Sequence, residues 1–336
     1  MLVVHAGPHK TATTFIQNNL TAAREDLAGL GWDYLREGTD GGSAHHSIAH
    51  NPRPYVDVAS PERARLAKAG AVATAAGRSV VLSAEGFCRW GPAKLKHMAS
   101  IFKKDRLDFV YAVRDPFDVF YSYWAEEVKQ GHVGSFANRF AEHFNDPSES
   151  RLLNPLVDLT PLLKLDRVRI RVVPFNLLKA RKIDIYSHFC DQALGLPDMA
   201  PKSALARNEA LPIELTEFLR LLTVIKADGK RHIGFDFRLR FMNGTTPSER
   251  AEIVNVMKEE VGDRMQVVRL NGSSFTKQRI EKQLKLKLAG LWTLDPGTDS
   301  IYNADSAEYR YFNEFDLWLS PPIRKLAEDI LARLAD

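Results

Sequence analysis

Four short apolar runs set the strongest limit on how this chain can fold: LVVHA (2–6), SVVLSAEG (79–86), LDFVYAVRDP (107–116) and RVRIRVVPF (167–175). They are apolar and rich in β-branched residues, which suits buried parallel strands covered on both faces. Between them lie stretches of helical period. From Thr14 onward Phe15, Ile16 and Leu20 share one helix face, and ERARLAKAGAVATAAG (62–77) is made of small and charged helix formers. Strand alternating with helix predicts an α/β fold, a three-layer α/β/α arrangement around a central parallel sheet. Residues 38–54, rich in Gly, Ser, His and Pro, read as a loop. Beyond about residue 207 the strand signal fades, and PIELTEFLRLLTVIKA (212–227) and SERAEIVNVMKEEVG (248–262) carry helical patterns. The simplest expectation is one domain over 1–336, with an α/β core in 1–206 and a mainly helical extension in 207–336 covering the acceptor side of the site.

Composition narrows the partners. The chain has 336 residues, 45% hydrophobic and 26% charged, which suits a globular protein with a sizeable core. Its net charge of +4 favours an anionic small molecule but is too weak for a nucleic-acid-binding footprint, so any anion site must be local. Cys88 and Cys190 are far apart with no CxxC spacing, which indicates neither a disulfide framework nor zinc, and no metal-ligand cluster stands out. The N-terminus lacks a basic, then apolar, leader, and no stretch nears the roughly 18 apolar residues of a transmembrane segment. The expectation is a cytoplasmic protein.

The first strand runs into the loop GPHKTATT (7–14). In an open parallel sheet ligands bind beyond the carboxyl ends of the strands, where a helix N-terminus offers backbone N–H groups to an anion. Gly7 permits the turn, Lys10 brings a positive charge, and Thr11, Thr13 and Thr14 bring hydroxyl donors. A Walker A loop needs four residues between its glycines and then Gly-Lys-Ser/Thr, whereas only Pro8 and His9 separate Gly7 from Lys10. A plain strand-to-helix turn with a Thr cap is the alternative. The third strand ends in Arg114, and Ser122 follows on a helix expected after Pro116; a guanidinium fork and a hydroxyl are a second anion-binding device. Two such devices on one sheet edge suggest a ligand with two separated anionic ends.

With these residues in place, HAGPHKTATTFIQ resembles the 5′-phosphosulfate loop of sulfotransferases that use 3′-phosphoadenylyl sulfate (PAPS), and VYAVRDPFDVFYSYW resembles their 3′-phosphate segment. The two motifs cover about 30 residues. The resemblance implies a P-loop-like core in which Lys10 contacts the bridging oxygen and the 5′-phosphosulfate. His9, Thr11, Ala12, Thr13 and Thr14 would surround that group, and Arg114 and Ser122 would bind the 3′-phosphate. Ala12 stands where many members have glycine, a change of little cost if φ is negative. VLSAEGF is similar to a Ser-x-Glu segment of bacterial members, which makes Glu85 a general base; AHHSIAH resembles a His-containing segment near the acceptor, which makes His45 or His46 the other candidate. LARNEALPIEL (205–215) resembles a further segment in which Arg207 and Asn208 reach the nucleotide, although an Asn helix cap would look the same. The Arg-Lys-Gly segment of soluble animal and plant members is missing.

The implied reaction moves a sulfo group from PAPS to the hydroxyl of a carbohydrate or glycolipid acceptor without a metal. Two rivals remain: a P-loop kinase or NTPase, with Asp115 as its Mg²⁺-binding carboxylate, and a non-catalytic nucleotide-binding protein. Trp90, Phe120 and Trp124 either stack on a sugar or belong to the core. In TKQRIEKQLKLKLAGLW (276–292), Ile280, Leu284, Leu288 and Leu291 form one apolar stripe with lysines opposite. That is a packed helix with a solvated face, or a surface for an acidic acceptor or a membrane.

Overall fold

The computed structural model describes residues 1–8, 10–104, 106–203, 211–234 and 236–334. Five strands, β1 (Leu2–His5), β2 (Trp32–Tyr34), β3 (Ser79–Ser83), β4 (Leu107–Val113) and β5 (Val168–Pro174), form one sheet in the order β2-β3-β1-β4-β5. Every neighbouring pair is parallel. The four apolar runs are therefore strands of one sheet. β1, β3 and β4 are almost wholly buried, which explains why their sequences do not alternate. β2 escapes a search for apolar runs because it is three residues long and lies at an edge.

The chain gathers into two compact units that interleave along the sequence. The first comprises Met1–Pro116, Asn154–Arg207 and Phe275–Ala304. On one face of its sheet Val3, Val81, Val110, Ala112 and Val173 pack with Phe15, Ile16 and Leu20 of the helix Thr13–Ala22 and with Tyr186 and Phe189. Asp108 interrupts the apolar run of β4 and is fully buried, with Arg171 Nε on β5 at 2.7 Å and Arg106 Nε at 3.1 Å holding its two oxygens. The helix Phe275–Lys287 also belongs to this unit and buries Ile280 and Leu284, as its apolar stripe requires.

The second unit comprises Phe117–Leu153, Asn208–Ser274 and Asp305–Asp336. Its core is helical: Phe120 and Trp124 of the helix Pro116–Lys129 pack with Phe136, Phe218, Leu222, Ile253 and Met257. Phe120 and Trp124 are core residues, each 1% exposed. Strands β6 (Gln266–Leu270) and β7 (Ala307–Tyr311) form an antiparallel pair in this otherwise mainly helical unit. The 38–54 segment is likewise not all loop, since it folds into the short helices His46–His50 and Arg53–Val56. No helix among the described residues is long and apolar enough to cross a membrane.

Candidate functional site

β1 lies between β3 and β4, because the chain leaves β1 toward β3 and β2 and later crosses back to β4. The connections after β1 and β4 thus diverge, which opens a crevice at the carboxyl edge of the sheet. The loop after β1 leaves the sheet at this edge. A Cβ on Gly7 would stand 2.7 Å from Thr11 Oγ1, so the turn closes only around glycine. Thr11 is fully buried and donates its hydroxyl proton to the Pro8 carbonyl at 2.7 Å; its side chain braces the loop. Thr13 is buried and Thr14 exposed.

Lys10 and Ala12 both adopt left-handed backbone, with φ of 68° and 58°. The negative φ under which alanine at position 12 would cost little is not what forms. A left-handed L-residue costs about 1–2 kcal/mol, and such strain collects where a fold holds a functional loop in one shape. Ala12→Gly is accordingly expected to raise unfolding stability by about 1 kcal/mol, less a small loss from the freer unfolded chain, in a urea titration. Ala12 is also the N-cap of the helix Thr13–Ala22 and supplies no side-chain cap. A Thr-capped turn is therefore excluded, and the first-turn N–H groups of this ten-residue helix have no side-chain cap.

Arg114 follows β4 and donates through Nη1 to the carbonyl of Lys10, joining the two loops that the sequence places 104 residues apart. Its guanidinium also lies 5.2 Å from the Phe175 ring centroid, a cation–π contact. Next to it Asp115 is buried, with Lys277 Nζ at 2.5 Å from its Oδ2. Lys277 was expected on a solvated face but is 3% exposed. The sequence signal is its spacing: three residues before Ile280, it extends the apolar stripe instead of facing away from it.

The third loop, after β3, opens with a tight turn over Glu85–Arg89. Glu85 is buried, and its Oε2 has no hydrogen-bond partner; His46 Nδ1 lies 3.9 Å away. His46 is exposed and its ring is 5.3 Å from that of His50, which in turn packs on Gly86, where a Cβ would come within 2.8 Å of the imidazole. The helix carrying both histidines is pinned by Trp90, whose indole N–H donates to the Ala49 carbonyl at 3.0 Å. Trp90 is 2% exposed, so it anchors the histidines from within the core.

His45 plays a different part from His46. It is fully buried, and its Nδ1 accepts the Ser83 N–H at 3.1 Å, while the Ser83 hydroxyl meets His5 Nδ1 at 2.7 Å. Burial pushes both imidazoles down, His5 to about 3 and His45 to about 4. The unfolded chain then binds more protons than the folded one between those values and the ordinary value near 6.5, so stability falls as pH falls through that window. Between pH 6.5 and 4.5 each histidine is expected to remove about 2 kcal/mol, a slope that His45→Asn should flatten in urea unfolding.

Ser122 belongs to the second unit, where its hydroxyl lies 3.1 Å from the carbonyl of Asp118 and 2.9 Å from that of Val119 within its own helix. His9, Arg207 and Asn208 lie outside the described residues. The segment before them is fastened to the first helix: Asn19 Oδ1 accepts the N–H groups of Lys202 and Ser203, each at 2.7 Å. Among the described residues no group of three His, Cys, Asp or Glu side chains converges as a metal site. No protein-family model, curated protein or solved structure matches the chain.

Proposed function

We propose that this chain is a sulfotransferase that takes its sulfo group from PAPS and has a P-loop-like nucleotide site at the switch point of its sheet. The observation that carries the proposal is the bond from Arg114 to the Lys10 carbonyl, made beside a helix N-terminus with no side-chain cap. An ammonium, a guanidinium and first-turn N–H groups on one crevice suit a ligand with more than one anionic group. The two motifs that resemble PAPS-binding segments supply the identity of that ligand: 5′-phosphosulfate at Lys10 and the helix N-terminus, 3′-phosphate at Arg114.

In the proposed reaction the acceptor hydroxyl attacks sulfur, the new O–S bond forms, and the bond from sulfur to the bridging phosphate oxygen breaks. 3′,5′-ADP leaves with the electron pair on that oxygen, where Lys10 and the helix N-terminus stabilise the charge. The hydroxyl proton passes to Glu85, whose partnerless Oε2 is suited to accept it, or to His46 beside it. A carbohydrate or glycolipid is the proposed acceptor class. One observation disfavours a kinase or NTPase: Asp115, the carboxylate that such an enzyme would need for Mg²⁺, is already held by Lys277 and by the N–H of Asn303 at 3.0 Å.

Calorimetric titration with 3′,5′-ADP, 5′-ADP and Mg²⁺·ATP tests the proposal. Magnesium-independent binding that needs the 3′-phosphate and weakens by about 10- to 100-fold in Arg114→Ala is expected, the worth of one or two charge-assisted hydrogen bonds. Preference for Mg²⁺·ATP would overturn it.

A further inference from the structure

The helix Phe275–Lys287 buries one side in the first unit, and its outer side is neither purely polar nor purely apolar. Phe275, Arg279, Lys282 and Leu286 recur at i, i+4, i+7 and i+11, which at about 100° per residue puts them within about 60° of one another. This ridge stands opposite the buried Ile280 and Leu284. Phe275 and Leu286 are 77% and 76% exposed, and Arg279 and Lys282 between them are exposed too. Single exposed apolar residues are ordinary on a protein surface, but two large ones on one ridge with bases between them form a pattern. At a rise of about 1.5 Å per residue they stand roughly 16 Å apart.

The charge around the ridge is one-sided. Lys285 and Lys287 follow on the same helix, and Asp299 brings Arg181 beside it: its carboxylate takes Arg181 Nη2 at 2.6 Å and its carbonyl accepts from Lys285 Nζ. Glu281 is the one acid of the helix, and its Oε1 is occupied by the chain that follows, accepting the Ser300 hydroxyl and the Ile301 N–H, each at 2.8 Å. The helix is also fastened to the carboxyl edge of the sheet. Lys277 Nζ lies 2.5 Å from Oδ2 of Asp115, just past the end of β4, so the ridge begins at Phe275 close to that edge.

We propose that this ridge is a docking surface for a bilayer that carries anionic lipid. Phe275 and Leu286 enter the acyl boundary, while Arg279 and Lys282 lay their apolar stems along it and hold their charged ends at the lipid phosphates. Charge alone would suit any polyanion. The two apolar side chains select a lipid surface, because a nucleic acid offers them no hydrocarbon to enter. The docking stands apart from the nucleotide reading, and one corollary rests on that reading: with the carboxyl edge held near the bilayer, the acceptor is a glycolipid rather than a soluble carbohydrate.

Flotation of the full chain with vesicles of phosphatidylcholine, with and without phosphatidylserine, tests the proposal. Two double variants, Phe275→Ser with Leu286→Gln and Arg279→Gln with Lys282→Gln, change exposed side chains only, and thermal unfolding checks that each keeps its fold. The wild type should bind the anionic vesicles at least about tenfold more tightly than the neutral ones, and less so as salt rises. Loss of the two bases should weaken that binding by roughly 10- to 30-fold, at about fivefold per charge, and loss of the two apolar side chains by roughly tenfold. No preference for anionic vesicles would overturn the inference. Wild-type binding in the apolar variant would overturn it too, leaving a general polyanion surface, as would wild-type binding in the variant without the bases. A dimer that the apolar variant splits, with no vesicle binding, would assign the ridge to a second copy of the chain and overturn it as well. If one variant does not fold, the other decides alone. Vesicle binding needs no nucleotide, so a wild type that binds anionic vesicles but ignores 3′,5′-ADP keeps the docking surface and fails only the sulfotransferase reading with its glycolipid corollary.

Discussion

Lys10→Ala is expected to lower kcat for sulfo transfer by about 10²- to 10³-fold, the usual cost of removing one fixed donor from a developing oxyanion. The substitution is well suited to isolating the ammonium. Position 10 has a φ of 68°, and alanine carries the same Cβ into that left-handed backbone, so the strain of the loop is unchanged. Arg114 would still reach the position-10 carbonyl, since that bond is to backbone. On the proposed reading, nucleotide affinity should therefore fall much less than kcat, because the helix N-terminus and Arg114 would still hold the phosphates. Steady-state kinetics with PAPS and calorimetry with 3′,5′-ADP separate the two quantities. A loss of affinity equal to the loss of rate would make Lys10 a binding group in the ground state rather than a stabiliser of the transition state.

Glu85→Gln carries the second large effect. If Glu85 takes the acceptor proton, the amide, which is nearly the same shape but cannot accept a proton at neutral pH, should cost about 10²- to 10⁴-fold in kcat. His46→Asn should cost less, since an imidazole 3.9 Å away and exposed acts on the carboxylate from one side only. The reverse order, a large loss in His46→Asn with near-normal rate in Glu85→Gln, would make His46 the base and Glu85 its orienting partner. Retained 3′,5′-ADP binding in both variants is needed for either assignment, because the groups proposed to hold the nucleotide lie on other loops.

Several of these features were legible before any coordinates. Lys10 and Arg114 each follow an apolar run, and residues just past a buried parallel strand must lie at the carboxyl edge of the sheet. The apolar stripe of 276–292 is equally plain in the sequence, and Lys277, three residues before Ile280, lies on it and is buried rather than standing with the lysines opposite. Composition misled at 38–54: glycine, serine and histidine there mark a loop, yet His45 is drawn into the core by the backbone of Ser83 and organises a helix behind it. At Ala12 no sequence rule could decide the backbone, since alanine is at home at negative φ yet takes 58° at the N-cap of the helix.

By itself the sequence determined the parallel sheet and the segments at its carboxyl edge, because burial on both faces and the turn from strand to helix are written in residues close together along the chain. Tertiary structure alone decided which of those segments meet. The strand order β2-β3-β1-β4-β5 sets β4 beside β1 and so puts Arg114 on the Lys10 carbonyl. The late return of the helix Phe275–Lys287 to the first unit gives Asp115 its cation. Both contacts join residues more than a hundred positions apart, and local periodicity and turn chemistry carry no information about such pairings; they follow from how the buried faces of distant elements fill one core.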